Sequence, residues 1–324
     1  AVPRVWERIY SRVSIMTGEA TPFGRWAFKK ALAAGMNKIK AEDENRTIPL
    51  SYFFWDFVLL KNIRRMLGMD NLRRGTTGAA PISPELLTWF RAIGVKIFEG
   101  YGMSESAGLI SLNYEGNHKN GSVGSVIPGA MLRIGADNEI QYKGGNCFKG
   151  YWRKTEKTDE TFTSDGWMKT GDIGLIDDNG FLTITGRMKD IIITAGGKNV
   201  TPSELENRLK FSPYISDTIL IGDGRKFISC LVMIDQENVE KFAQDQKIPF
   251  SDFASLCAAP EIIELISNII DDVNRDFARV EQIKKFRLID ILLTAEDDEL
   301  TATMKLKRGF VEEKHKTLID EMYL

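Results

Sequence analysis

The octapeptide EGYGMSES (Glu99–Ser106) sets an aromatic ring between two glycines and follows it with a hydroxyl and a carboxylate, Ser104 and Glu105. A ring flanked by Gly100 and Gly102 can lie flat against another planar ring, and a carboxylate beside a phosphate is a hard oxygen ligand suited to Mg²⁺. A second stretch, DGWMKTGDIGLIDDNGFLTITGRMKDIIITAGG, runs from Asp165 to Gly197. Within it Asp172 sits among glycines, where its two oxygens could accept ribose hydroxyls, and Arg187 could reach phosphate or ribose oxygens. A third, ELTATMKLKRGF (Glu299–Phe310), gathers basic residues after a polar loop. Taken singly, turns and a solvated charged face explain each of them equally well.

The GTTG of RRGTTGAAPISPEL (Arg73–Leu86) looks like a phosphate loop, but no spacing fits. Counted from Gly75, the second loop glycine falls on Ala80 and Pro81 stands where a lysine is needed; counted from Gly78, no lysine comes before Lys96. The stretch instead reads as strand, small-residue turn and helix. Ser83 is a good N-cap, Pro84 suits the first helical position, and Leu86, Leu87, Phe90 and Ile93 form an apolar stripe that Gly94 terminates.

At 324 residues the chain has room for two domains. Its 43 basic and 45 acidic residues leave a net charge of −2, which gives no support for nucleic acid as the main partner. Cys147, Cys230 and Cys257 lie far apart in no metal-ligand spacing and read as reduced thiols. His118 and His315 stand among polar residues and read as surface side chains. No apolar run is long enough to span a bilayer, and AVPRVWERIY at the start lacks the regions of a signal peptide, so a cytoplasmic location is expected. The same opening enters in mid-pattern, as a chain does when it begins partway through something larger. SYFFWDFVLL (Ser51–Leu60) carries Asp56 and reads as a buried helix, with a membrane-contacting or partner-binding face as the alternative.

The elements that must position these residues change character along the chain. Helical patterns alternate with short strands such as GVKIFEG up to about residue 115, an α/β signature. From GSVGSVIPGAMLRIG to GFLTITGR the strands are short and Gly-punctuated, as in a small β-barrel or sheet. After Arg187 come a strand ending in a double glycine, the helix TPSELENRLK with Thr201 and Glu204 as a capping box, and a hairpin turning at Gly222, Asp223 and Gly224. Helices fill most of the rest. A domain boundary is placed at Met188 and Lys189, giving domains 1–188 and 189–324.

Taken in order, YGMSE, GSVGSVIPG and DGWMKTGDIGLIDDNGFLTITGRMKDIIITAGGKNVTPSELE resemble the adenylate-forming (AMP-binding) superfamily of acyl-CoA synthetases, luciferases and peptide-synthetase adenylation domains. The opening AVPRVWERIY, the serine of YGMSES and the ending LTATMKLKR resemble its long-chain fatty acyl-CoA synthetase branch, near the bubblegum-type members. The fold implied is α/β: the end of a large domain with a small β-barrel-like subdomain, followed by a mobile small C-terminal lid domain of α+β character. The activity implied is that of an AMP-forming acid–thiol ligase. A carboxylate attacks the α-phosphate of MgATP to give an acyl-adenylate and pyrophosphate, and coenzyme A thiol then displaces AMP.

The resemblance also implies roles. Tyr101 stacks on adenine, with Gly100, Gly102 and Met103 in the same nucleotide motif; Ser104 contacts phosphate, and Glu105 binds Mg²⁺ and assists catalysis. Gly78, Ala79, Ala80 and Pro81 match a GGAP-like turn along the adenine and acyl group, with alanine at one glycine position. Asp172 holds the ribose hydroxyls beside Arg187, Lys189 is the hinge between half-reactions, and Gly196, Gly197 and Lys198 belong to the coenzyme A path. Lys305 is the catalytic lysine of the first half-reaction, with Lys307 as the alternative.

In that family a Ser/Thr- and Gly-rich phosphate loop with a lysine lies upstream of the region resembling AVPRVWERIY, and this sequence does not contain it. The expectation is therefore the C-terminal part of a synthetase, inactive in adenylation by itself. The expected substrates are a fatty acid, ATP and coenzyme A, with peripheral membrane contact and a homodimer left open. Two other readings stay open as well: a ligase for an aryl or medium-chain acid, and a non-catalytic nucleotide-binding homologue.

Overall fold

Apolar residues at three- and four-residue spacing carry helices through the start of the chain: α1 (Pro3–Glu19), α2 (Pro22–Asp43) and α3 (Leu50–Trp55), the last running through a π-helical turn at Asp56–Leu60 into α4 (Lys61–Met66). The computed structural model describes residues 1–291, 298–299 and 307–324. By backbone contacts the chain divides into two units, Ala1–Met188 and Lys189–Leu324.

In the first unit β1 (Gly75–Thr77), α5 (Pro84–Ala92) and β2 (Ile97–Tyr101) form a parallel strand–helix–strand crossover. The Ser83 hydroxyl accepts from the Leu86 N–H at 3.3 Å, and Gly94 ends the helix region at φ +89°. Leu86, Leu87, Trp89 and Phe90 turn inward, each worth about 1.5–3 kcal/mol of burial. α2 crosses α5 so closely that a Cβ built on Gly35 would lie 2.1 Å from the Ala92 carbonyl oxygen. Antiparallel β3 (Ser111–Leu112) and β4 (Ser125–Val126) extend the sheet in the order β1-β2-β3-β4.

The Gly-punctuated region folds as an antiparallel meander of β5 (Met131–Ile134), β6 (Glu139–Lys143), β7 (Met168–Ile176) and β8 (Leu182–Arg187), with α6 (Thr155–Thr161) between β6 and β7. Tyr101, Ile110, Val123, Ile140, Tyr142, Met168 and Leu182 form one core that joins the two sheets of this unit. The α/β class and the small barrel-like sheet read from the sequence are both present.

The second unit opens with the two-residue strands β9 (Ile192–Ile193) and β10 (Asn199–Val200), then α7 (Pro202–Lys210). Next come the hairpin β11 (Ile215–Ile221) and β12 (Ile228–Ile234), then α8 (Gln236–Gln246), α9 (Phe253–Ala258) and α10 (Pro260–Asn274). Strand β13 (Ile283–Leu288) pairs parallel to β12, and α11 (Arg308–Lys314) and α12 (Lys316–Glu321) follow. One face of the hairpin shares a core with the inner faces of α7 to α10, while Ile219, Ile221 and Leu231 on its other face pack with Val311 of α11, Ile319 of α12 and Met322.

Three sequence readings are corrected. The segment Ser51–Leu60 is helical but not buried: Tyr52 and Leu60 face inward, while Phe53, Phe54, Phe57 and Val58 face solvent. The inward face of this helix already holds the Asp56–Arg64 ion pair at 2.6 Å, whose Arg64 also donates to the Ile93 carbonyl at 2.7 Å. Thr201 precedes α7 with Pro202 at the first position, yet its side chain makes no capping bond. His315 is not a fully exposed surface residue: it sits half-buried between α11 and α12. His118 is exposed and meets the Phe98 ring edge-on at 5.6 Å.

Candidate active site

The first unit brings three of the sequence stretches together at the end of β2. β1 and β2 are in register at Thr77 and Glu99, so the turn at Gly78–Pro81 leaves β1 beside Gly100. A Cβ on Gly78 would lie 2.8 Å from the Gly100 carbonyl oxygen, which reserves the position for glycine. Ala79, where the family pattern has glycine, sits in the left-handed region at φ +67°, a conformation that costs an L-residue about 1–2 kcal/mol.

Asp172 lies on β7 opposite Arg187 of β8. Its Oδ2 accepts from the Tyr101 hydroxyl at 2.6 Å and its Oδ1 from Arg187 Nε at 3.0 Å. The aspartate is nearly buried, whereas the Arg187 side chain is 64 % exposed. Backbone geometry fixes the carboxylate: Thr170 Oγ1 accepts from the Asp172 N–H at 3.2 Å and donates to the Ile140 carbonyl at 2.7 Å, and Glu139 Oε1 accepts from the Gly171 N–H at 3.2 Å. Burial and the adjacent carboxylate both raise the Tyr101 hydroxyl well above its ordinary pKa, so it stays a donor. Each carboxylate oxygen has a second lone-pair site, so Asp172 can accept further hydroxyl donors while holding both partners.

The loop after Tyr101 is a 3₁₀ turn, Ser104–Ser106. Gly102 allows the chain to pass there, since a Cβ would lie 2.4 Å from the Gly108 carbonyl oxygen. The Ser106 hydroxyl accepts from the Met103 N–H at 3.1 Å, and Asn146 Nδ2 donates to the carbonyls of Ser106 and Leu109 at 2.6 and 2.9 Å. Ser104 is exposed, and Glu105 Oε1 accepts from the Tyr151 hydroxyl at 2.7 Å. Among the described residues no cluster of three metal-ligating side chains occurs. A single carboxylate such as Glu105 fits Mg²⁺ that keeps its waters and phosphate ligands, as this ion usually does.

In the second unit Lys189 is exposed in the 3₁₀ turn Met188–Asp190. Gly196 and Gly197 are exposed, Gly197 at φ +75°, and Lys198 Nζ lies 3.5 Å from Glu281 Oε1. Lys305 lies outside the described residues. Lys307 is exposed and precedes α11, its N–H donating to the Glu299 carbonyl at 2.7 Å. Arg308 beside it is held at Glu206 (2.5 Å) and the Leu220 carbonyl (2.6 Å), so that part of the basic cluster is structural. The sequence reading missed Tyr151, Asn146, Thr170 and Glu139, the residues that hold the site's groups in place. Thr170 stands within the stretch Asp165–Gly197, immediately before Gly171 and Asp172, whereas the other three lie outside the stretches that carried a chemical signal.

Residues 1–152 match the family model described as AMP-binding enzyme, and residues 189–324 the one described as AMP-binding enzyme C-terminal domain. The chain is 38% identical over 327 residues to the long-chain-fatty-acid–CoA ligase FadD15 of Mycobacterium bovis, covering 100% of this chain and 54% of that protein. To the long-chain-fatty-acid–CoA ligase ACSBG1 of Rattus norvegicus it is 33% identical over 345 residues, covering 99% of this chain and 48% of that protein. The chain thus spans about half the length of the curated relatives it matches. Among solved structures it is similar to the adenylation domain of a carboxylate reductase from Mycobacterium chelonae, with a TM-score of 0.71, 20% identity, and 99% of this chain and 46% of that one covered. It is also similar to ATP-bound MatB from Rhodopseudomonas palustris, with a TM-score of 0.59, 25% identity, and 82% and 50% covered. With a matched model on either side of Met188 and relatives aligned over its whole length, the chain belongs to the AMP-binding, adenylate-forming enzyme family.

Proposed function

We propose that the chain supplies the nucleoside-holding part of an AMP-forming long-chain fatty acid–CoA ligase. The observation that carries this reading is the fixed carboxylate of Asp172, tied to Tyr101 and Arg187 at the end of β2 and beside the turn Gly78–Pro81. Asp172 accepts the ribose hydroxyls and Arg187 reaches ribose or phosphate oxygens. Tyr101 lies against adenine, flanked by Gly100 and Gly102, with Met103 behind it and Gly78, Ala79, Ala80 and Pro81 along the other edge.

Ser104 donates to phosphate. Glu105 holds Mg²⁺, which neutralises phosphate charge when bound. Lys305, or Lys307, stabilises the charge on the reacting carboxylate and phosphate oxygens, and Gly196, Gly197 and Lys198 line the approach of coenzyme A. Lys189 is the hinge. The long-chain substrate is favoured by the likeness to FadD15 and ACSBG1, both long-chain-fatty-acid–CoA ligases. A substrate that partitions into bilayers also favours work at a membrane surface.

Pyrophosphate release by the full-length protein, measured with acetate, benzoate and palmitate in turn, tests the reading. Palmitate is expected to be preferred; a preference for benzoate overturns the fatty-acid assignment. Calorimetry of AMP and ATP against this chain tests the nucleoside site itself, and absence of binding to either overturns it.

A further inference from the structure

The helices that precede β1 carry an apolar face with no covering element among the described residues. Leu50, Phe53, Phe54, Phe57 and Val58 recur at three- and four-residue spacing, so they line one side of the helix running from Leu50 to Met66, and all five are exposed, Phe57 to 77 %. Phe23 of α2 is 74 % exposed and continues the patch. Its ring lies 5.6 Å from Trp26, Trp26 lies 6.0 Å from Trp55, and Trp55 lies 5.3 Å from Phe54. One aromatic surface therefore crosses two helices, larger than the scattered apolar residues of an ordinary surface.

Lysines flank this face. α2 holds five basic residues before its closing Glu42 and Asp43, and among the described residues only one of the five, Lys38, pairs with Glu42. Lys29 and Lys30 lie one turn beyond Trp26 on α2, and Lys61 one turn beyond Phe57 and Val58; all three are exposed, and none takes part in an ion pair among the described residues. The single acidic residue of Leu50–Met66, Asp56, is turned inward to Arg64. Exposed aromatic rings flanked by the unpaired Lys29, Lys30 and Lys61 match a bilayer interface, where rings sit at headgroup depth and ammonium groups meet lipid phosphates. A protein partner with a polar rim of both signs is a poorer match.

We propose that this face docks the protein on an anionic phospholipid bilayer. Phe23, Trp26, Phe54 and Phe57 enter the interface, and Lys29, Lys30 and Lys61 lie on the headgroup phosphates. The inference uses elements other than those of the nucleotide site and does not rest on the ligase reading.

Co-sedimentation with vesicles of phosphatidylcholine, with and without phosphatidylglycerol, tests it. The chain should pellet with the mixed vesicles, bind pure phosphatidylcholine weakly, and come off as salt rises. The pair Phe54→Ser and Phe57→Ser should lower binding about tenfold. The pair Lys29→Glu and Lys30→Glu should erase the preference for the anionic lipid. Trp152→Ser removes an equally exposed aromatic of the meander region and should change nothing, and circular dichroism confirms that each variant is folded. The proposal is overturned if the chain ignores the anionic vesicles or if the phenylalanine variant binds like the parent. It is also overturned if the full-length protein does not bind, or if the face instead joins two copies of the chain by sedimentation without taking up lipid.

Discussion

The Tyr101 hydroxyl donates to Asp172 Oδ2 at 2.6 Å, linking the end of a strand in one sheet to the second sheet of the same unit. This bond makes Tyr101 a positioning residue for the carboxylate, in addition to the stacking role proposed for its ring. Hydrogen bonds to a charged acceptor contribute about 1.5–3 kcal/mol, so Tyr101→Phe should weaken AMP binding about tenfold while leaving the ring in place. Asp172→Ala should weaken it more. The two losses should not add, because each change removes the same bond. Calorimetry of AMP with the two single variants and the double variant measures this coupling. Additive losses would mean that Tyr101 acts through its ring alone.

Lys305→Ala in the full-length protein is expected to abolish adenylate formation while sparing thioester formation from supplied acyl-adenylate. The reason is charge: a lysine that stabilises the attacking carboxylate and phosphate oxygens matters only in the step where that charge develops. Lys307→Ala is expected to leave both steps within severalfold. The two half-reactions are read separately by pyrophosphate release and by thiol consumption. An intact first step in Lys305→Ala, with a lost one in Lys307→Ala, moves the role to Lys307.

Much of the site was legible in the sequence, for a local reason. Asp172 stands out because Gly171 and Gly174 flank it and Arg187 because it follows Gly186 at the end of β8, and Ser83 marks α5 because a cap, a proline and an apolar stripe coincide within a few residues. What was not legible depends on partners distant in sequence. Tyr151 finds Glu105 and Asn146 finds the Ser106 and Leu109 carbonyls only when the segment after β6 meets the loop after β2, and Glu139 finds the Gly171 N–H only after β6 and β7 pair. Strand β13 hid behind the basic alternation of IKKFRL, whose apolar side is fixed by contact with β12. The direction in which Phe54 and Phe57 point could not be read from SYFFWDFVLL, because apolar residues occupy both faces of that helix.

Gly35→Ala should destabilise the first unit although it lies inside a helix. By helix propensity alone alanine gains about 1 kcal/mol over glycine. Against that, the new Cβ would lie 2.1 Å from the Ala92 carbonyl oxygen and 2.8 Å from its carbonyl carbon, backbone atoms of α5 that cannot rotate aside. Overpacking of this kind costs about 1–3 kcal/mol and more when backbone must shift. Urea unfolding is therefore expected to show a lowered midpoint. A raised midpoint would mean that α2 and α5 do not pack so closely.

Glu99 gives the protein a stability that falls as pH rises. Its carboxyl is buried on β2 beside the nucleotide motif. Desolvation pushes its pKa up to about 8, against a smaller downward effect of a hydrogen bond with the Ile82 backbone. A carboxyl whose pKa is raised on folding binds its proton more tightly in the folded state. Its contribution is fully present below the unfolded value near 4.5 and is lost as pH climbs through the folded value. Within that window the slope approaches about 1.4 kcal/mol for each pH unit. Glu99→Gln keeps the shape and cannot ionise, so its stability should vary less between pH 5 and pH 8 than the parent's. Urea midpoints of the two proteins across this range decide the matter: curves that run parallel would show that Glu99 is already ionised in the folded chain.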